Sequence, residues 1–218
     1  MIKRIRDPLF YSGIWALLVY VWYVWFYFIT GKLEYLLWYS LLGLIFLSLA
    51  LLSRNYILIS IIFCSLFFIE GVWFINFFGV LLFGYSLGNI DYDFIPGSPN
   101  FDWIGSAYHL MLAPFSLAAI LTTNKVYPKA WIYSSLFALF LGLTTFVLVD
   151  NSDGENINCT FNSCEELFKP LYALTNPIRI IAGSLLLSVF VFLPSNLLIE
   201  FIVKTQSRQR DVSQQSFN

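Results

Sequence analysis

The stretch YILISIIFCSLFFIEGVWFINFFGVLLFGY, residues 56–85, carries a single charged side chain, Glu70. A helix over those residues would rise about 45 Å at 1.5 Å per residue, more than the roughly 30 Å of bilayer hydrocarbon. It reads as a membrane-spanning helix long enough to tilt or to project from the bilayer. Outward from it, five further apolar runs fill most of the chain: Ile14 to Ile29, Glu34 to Leu52, Trp103 to Leu121, Trp131 to Val149 and Pro177 to Val203. Backbone polar groups in hydrocarbon must be satisfied within the segment, and none of the runs has the short alternating pattern of a membrane barrel. Each is therefore expected to be helical.

Composition leads to the same class. Of the 218 residues, 59% are hydrophobic and 11% charged, against roughly 45–50% and about 25% in a soluble domain. Too few polar side chains remain to coat a water-facing surface. A net charge of -1 and the lack of a basic stripe leave no electrostatic footprint for nucleic acid, so that partner is set aside. The basic start Met1-Ile-Lys-Arg-Ile-Arg6 leads into an apolar run that no small-residue cleavage site closes, and it reads as a retained first span. The expected architecture is all-α: one polytopic bundle of six transmembrane helices over residues 1–204, in a cell membrane. That membrane is the cytoplasmic one in a prokaryote, an endomembrane or the plasma membrane in a eukaryote. Membrane lipids are the expected partners, and a homo-oligomer is a further option for so small a chain. The polar tail Thr205 to Asn218 has too few apolar residues to offset its ordering entropy and is expected to be disordered.

Charge sets the orientation. With six spans, both termini share a side with the connections around Arg54 and Lys125 to Lys129, and these segments own nine of the twelve basic residues. Only Lys32, Lys169 and Arg179 fall on the other side. The positive-inside rule then makes both ends cytoplasmic. Asp91, Asp93, Asp102, Asp150, Asp153, Glu155, Glu165 and Glu166 lie in the two long exported loops, so the outer face is acidic. Most tryptophans sit toward span ends, where an amphipathic ring favours the headgroup layer.

Polar groups inside spans are the places to look for function, since each costs free energy in hydrocarbon unless it meets a partner or water. Counting inward from the exported ends puts Ser40, His109 and Asn76 at a common depth of roughly 9 to 14 Å, with Thr144, Thr145 and Ser184 near the same layer. If these side chains face inward, they line one polar pocket open to the outside. His109 is the only histidine. It could act as a general base or proton carrier, or it could be a neutral imidazole bridging helices. Pro114, five residues on, removes one backbone bond and is expected to kink that helix.

Glu70 lies near the middle of its span and must be protonated, paired or hydrated there. It could carry protons or bind a cation, or simply hydrogen-bond between helices. Asn76 lies about 240° around an ideal helix from it, on a different face. Gly71 is expected to admit a close neighbour. Arg179, one turn inside the outer boundary of the last span, would meet an exported acid or a lipid phosphate, or snorkel to the headgroups. Asn196, after Pro194, is expected to satisfy a carbonyl that the proline frees. In the loop containing Asn156 and Asn158, Cys159 and Cys164 favour a short disulfide over a metal site, which would want more ligands. Asn158-Cys-Thr160 also fits a glycosylation sequon. One histidine without nearby ligands does not make a metal centre, and no cofactor motif is complete, so neither is implied.

Two resemblances follow from these residues. Trp73-x-x-Asn76, Tyr108-His-x-x-x-x-Pro114 and Asn156-Ile-Asn158, in that order, resemble the pattern of small six-span bacterial membrane proteins of unassigned function, over most of the chain. Phe94-Ile-Pro-Gly97 followed by His109-x-x-x-x-Pro-Phe115 is similar to the androgen-induced-gene family of six-span hydrolases, which cleave fatty-acid esters with a threonine and a histidine inside the membrane. Here the second span has no threonine and the gap from glycine to histidine is wider, so that resemblance implies Ser40 in the nucleophile's place with His109 as base. Three functions are therefore expected, in this order. The first is a ligand-binding membrane protein whose outer pocket involves Glu70, Asn76, Asn156, Asn158 and Arg179. An intramembrane lipid-ester hydrolase using Ser40 and His109 comes second, and a small proton-coupled transporter using Glu70 and His109 third.

Overall fold

Asn55 opens the longest helix: its side-chain oxygen accepts from the N–H groups of Ile57 (3.1 Å) and Leu58 (3.3 Å), which have no partner within the first turn. The helix runs to Phe83, and Gly84 closes it with a left-handed φ of 74°. The structure is a computed structural model that describes residues 7–84, 103–149 and 174–215. Its α-helices are α1 (Pro8–Thr30), α2 (Tyr39–Ser53), α3 (Tyr56–Phe83), α4 (Trp103–Thr123), α5 (Ala130–Leu148), α6 (Asn176–Leu187) and α7 (Leu193–Gln215). There is no strand among the described residues. Four stretches are long and apolar enough to cross a membrane: Pro8–Thr30, Tyr56–Phe83, Ala130–Leu148 and Pro177–Gln209. Two apolar stretches, Tyr39–Ser53 and Tyr108–Thr123, are shorter.

The central position belongs to α3, which packs against α2, α4, α5 and α7 and buries Phe63, Leu66, Glu70, Trp73 and Asn76 among others. By contrast, α1 and α5 keep large apolar side chains such as Trp25 and Phe140 exposed, the surface a hydrocarbon solvent accepts and water does not. Small residues let the helices close up. Ser48 of α2 donates to the carbonyl of Gly13 in α1 at 2.8 Å, and a Cβ on Gly13 would fall 2.9 Å from Leu52 Cγ. On the opposite side of α2, a Cβ on Gly43 would lie 2.5 Å from Leu66 Cδ1 of α3. Close backbone approach of this kind is what drives association where no water is expelled. Gly71 is a correction to the sequence reading: a Cβ there meets nothing within 4 Å, because it lies off the buried stripe that Glu70 and Trp73 share.

One corner of the bundle is pinned electrostatically. Asp7 accepts from the N–H of Leu9 to cap α1 and pairs with Arg54, which takes a left-handed φ of 54° in the two-residue turn between α2 and α3. The start of α1, the end of α2 and the start of α3 are thereby held level.

Four further features differ from expectation. The apolar run from Glu34 does not form one helix. A 3-10 turn covers Leu33–Leu37, and Trp38 is extended (ψ 132°) before α2 begins at Tyr39. At 15 residues, α2 is about 22 Å long. In the last run, a wide π-helical turn at Ser188–Phe192 separates α6 from α7. Pro194 explains it, since its ring collides with the carbonyl four residues back and has no N–H to offer. Asn196 does not serve that freed carbonyl. Its amide donates to the carbonyl of Pro128 (3.2 Å) and to Glu200 (2.6 Å), while Cys64 donates to its oxygen (3.6 Å). Last, α7 continues to Gln215, past Thr205 where a disordered tail was expected. Extending an existing helix adds a bond for each residue fixed, without a new nucleus. Asn124 adds an anchor by donating to Ser207 at 3.4 Å.

Candidate functional site: a buried carboxylate–imidazole pair

Because the end of α2 and the start of α3 are level at the Arg54–Asn55 turn, distance along the helices can be counted from it. Ser40 precedes Ser53 by 13 residues and Glu70 follows Tyr56 by 14, which puts both about 20 Å from that turn. In α4, His109 precedes Thr123 by 14 residues and joins the same layer. There Nδ1 of His109 lies 2.8 Å from Glu70 Oε2, with side-chain exposures of 12% and 2%. A hydrogen bond of that length ties α3 to α4. With Nδ1–H donated to the carboxylate, the imidazole is held in the tautomer whose Nε2 accepts, so Glu70 orients His109 as well as satisfying it.

Aromatic rings enclose the pair. Trp73, one turn after Glu70, stacks on the imidazole with centroids 4.8 Å apart and planes at 22°. Tyr108 lies against its other neighbours, 4.1 Å from the His109 ring and edge-on to Tyr23 of α1 at 5.2 Å. The Tyr108 phenol and the Ser40 hydroxyl are 3.1 Å apart. Tyr23 stands 5.8 Å from Tyr27, which stacks on Tyr35 at 5.4 Å. A run of rings thus leads from the pair toward the C-terminal end of α1. Trp73 Nε1 is buried and has no hydrogen-bond partner among the described residues, a condition that costs about 1–3 kcal/mol until an acceptor arrives.

Several expected site residues are relocated. Ser40 and His109 do share a layer, but the group that meets Ser40 is the phenol of Tyr108, and the group that meets His109 Nδ1 is Glu70. Asn76 sits six residues further out along α3, about 9 Å away, and is fully buried. Its angular offset from Glu70 does not expose it, since Trp73 bridges the interval and this side of α3 is covered. Arg179, in the first turn of α6, is 7% exposed, which does not fit a side chain snorkelling to the headgroups. Thr145 is buried, while Thr144 and Ser184 are half-buried. Asn156, Asn158, Cys159 and Cys164 lie outside the described residues, as do Phe94 to Gly97. Among the described residues, no three His, Cys, Asp or Glu side chains converge as a metal site.

Sequence reasoning did not single out Trp73 or Tyr108 as members of the layer. Their spacing held the signal: Trp73 follows Glu70 by three residues and so shares its face, and Tyr108 adjoins the lone histidine. No protein-family profile, curated protein or solved structure matches the chain.

Proposed function

We propose that this chain is a six-span membrane protein with both termini in the cytoplasm, and that its Glu70–His109 layer binds a small polar or lipid-like ligand. The observation that carries the reading is the buried Trp73 N–H, which has no partner among the described residues while its ring lies on an imidazole that Glu70 orients. A site with an oriented pair and an unsatisfied donor has the makings of a recognition site: mostly apolar walls and a few fixed polar groups. The ligand would place an acceptor oxygen on the indole. Native mass spectrometry of the purified protein with its retained lipids is the test. A stoichiometric bound molecule is expected in the wild type. The Trp73→Phe variant keeps the ring but loses the donor, and should retain that molecule about 2- to 13-fold less strongly, the weight of one hydrogen bond. Equal retention by the two proteins, or no retained molecule in either, overturns the reading. The orientation has its own check, since a reporter fused after Asn218 should be active only in the cytosol.

A second reading has one observation in its favour. Glu70 on Nδ1 of His109 is the acid–imidazole half of a serine-hydrolase relay, and Ser40 lies one hydrogen bond from the adjacent tyrosine. It requires Ser40 to leave Tyr108 for the imidazole. A serine-directed fluorophosphonate that labels the wild type but not Ser40→Ala would establish it, and absence of labelling removes it.

A further inference from the structure

Lys125, Lys129 and Arg208 are exposed, and none has an acidic partner within 4 Å among the described residues. Two contacts bring them to one end of the molecule. Asn124 donates to Ser207 at 3.4 Å and Asn196 to the carbonyl of Pro128 at 3.2 Å, so the α4–α5 connection lies along the final turns of α7. Lys125 therefore lies beside the last turns of α7, which carry Lys204 and Arg208 on one face at i and i+4, and Lys129 lies further along the same helix, near the level of Asn196. Lys204 reaches Glu200 at 3.8 Å and is still 75% exposed, and Glu200 is already taken by Asn196 at 2.6 Å. Two other acids belong to this end: Asp7, which is occupied by Arg54, and Asp211, three residues after Arg208 on α7. The cations at this end outnumber its acids. Around it lie phenols suited to the water–hydrocarbon boundary: Lys125 stands 5.7 Å over the Tyr56 ring, and Tyr127 lies 5.9 Å from Tyr133.

We infer that Lys125, Lys129, Lys204 and Arg208 form a seat for the phosphate of an anionic phospholipid in the adjoining leaflet. Cations gathered where helices leave the bilayer meet lipid phosphate at short range, and each contributes about fivefold to binding at an anionic surface. The acyl chains would lie along the apolar surface of α7, where Leu197 and Phe201 are exposed. The inference is independent of any ligand at the Glu70–His109 layer. It rests on the six-span reading only for which leaflet is occupied.

The test is native mass spectrometry of the full chain, delipidated and then offered phosphatidylglycerol and phosphatidylcholine with matched acyl chains. The wild type should prefer phosphatidylglycerol, and the double variant Lys125→Gln/Arg208→Gln should bind it about 25-fold less well. Lys32→Gln removes a cation at the opposite end and should leave the preference intact. Circular dichroism confirms that the variants fold. An unchanged preference in the double variant, or an equal loss in Lys32→Gln, overturns the assignment. So does phosphate-driven displacement of the lipid at millimolar concentration, which would make the patch a site for soluble anions. An RNA or acidic protein that outcompetes phosphatidylglycerol would overturn it in favour of that partner. The readout does not depend on which side faces the cytosol, so failure of the topology reporter and failure of this seat are separate results.

Discussion

Replacing Glu70 and His109 singly and together, as Glu70→Met, His109→Phe and the double variant, examines the pair at the centre of the site. Both substitutions approximate the native volume, and the phenyl ring can keep its stack on Trp73. The singles differ in what they strand. Glu70→Met leaves one imidazole N–H without its acceptor at 12% side-chain exposure, which should cost about 1–3 kcal/mol. His109→Phe leaves a carboxyl that is 2% exposed without its donor, and breaking a buried pair from one side costs about 3–5 kcal/mol. Removing both partners strands neither, so the double variant should lie within about 1 kcal/mol of the wild type. The singles sum to about 4–8 kcal/mol, and the expected interaction energy is correspondingly several kcal/mol. Interhelical hydrogen bonds between neutral groups in a membrane average only about 0.6 kcal/mol, because the unfolded helices find other partners there, so a large value would mark a charge-assisted bond. Reversible unfolding in mixed micelles, followed by circular dichroism, measures all four proteins. Additive singles, with an interaction below about 0.5 kcal/mol, would refute the reasoning and make the 2.8 Å contact incidental.

Other perturbations address the packing and the inner cluster. Gly43→Ala should destabilise by about 1–3 kcal/mol through overpacking against Leu66, whereas Gly71→Ala should be neutral or stabilising by up to about 1 kcal/mol from helix propensity alone; micellar unfolding separates the two. Asn196→Ala strands both the Pro128 carbonyl and Glu200 and should cost about 2–4 kcal/mol, with earlier hydrogen exchange where α7 meets the α4–α5 connection. Ser48→Ala removes the bond to the Gly13 carbonyl and should loosen α1 from α2 by about 0.5–1.5 kcal/mol, read as a lower unfolding midpoint.

Hydropathy made the helices legible because hydrocarbon leaves the backbone few options, and the expected ends of α3, α4 and α5 lie within two residues of those observed. The second run was misjudged because Leu33 to Leu37 is apolar enough to read as span, while its 3-10 turn and the extended Trp38 leave no trace in hydropathy. Ser40, Glu70 and His109 each stood out as polar in an apolar setting. Counting depth from the outer ends grouped Ser40 and His109 with Asn76. Counting from the opposite ends, where the two-residue Arg54–Asn55 turn holds α2 and α3 together, brings Glu70 to them instead. The helical tail beyond Thr205 was missed because its anchor at Asn124 is 83 positions away in sequence.

By itself the sequence determined an all-helical, membrane-compatible chain with a handful of polar side chains inside its apolar segments, because solvent preference and backbone hydrogen bonding act locally and can be read residue by residue. Only the tertiary structure decided that Glu70 faces His109, that Ser40 meets Tyr108, and that Trp73 covers the imidazole with its own N–H unmet. Helices that are apolar all round carry no periodic mark of which face turns inward. Their rotation and register are set instead by where Gly13 and Gly43 allow the backbones to approach.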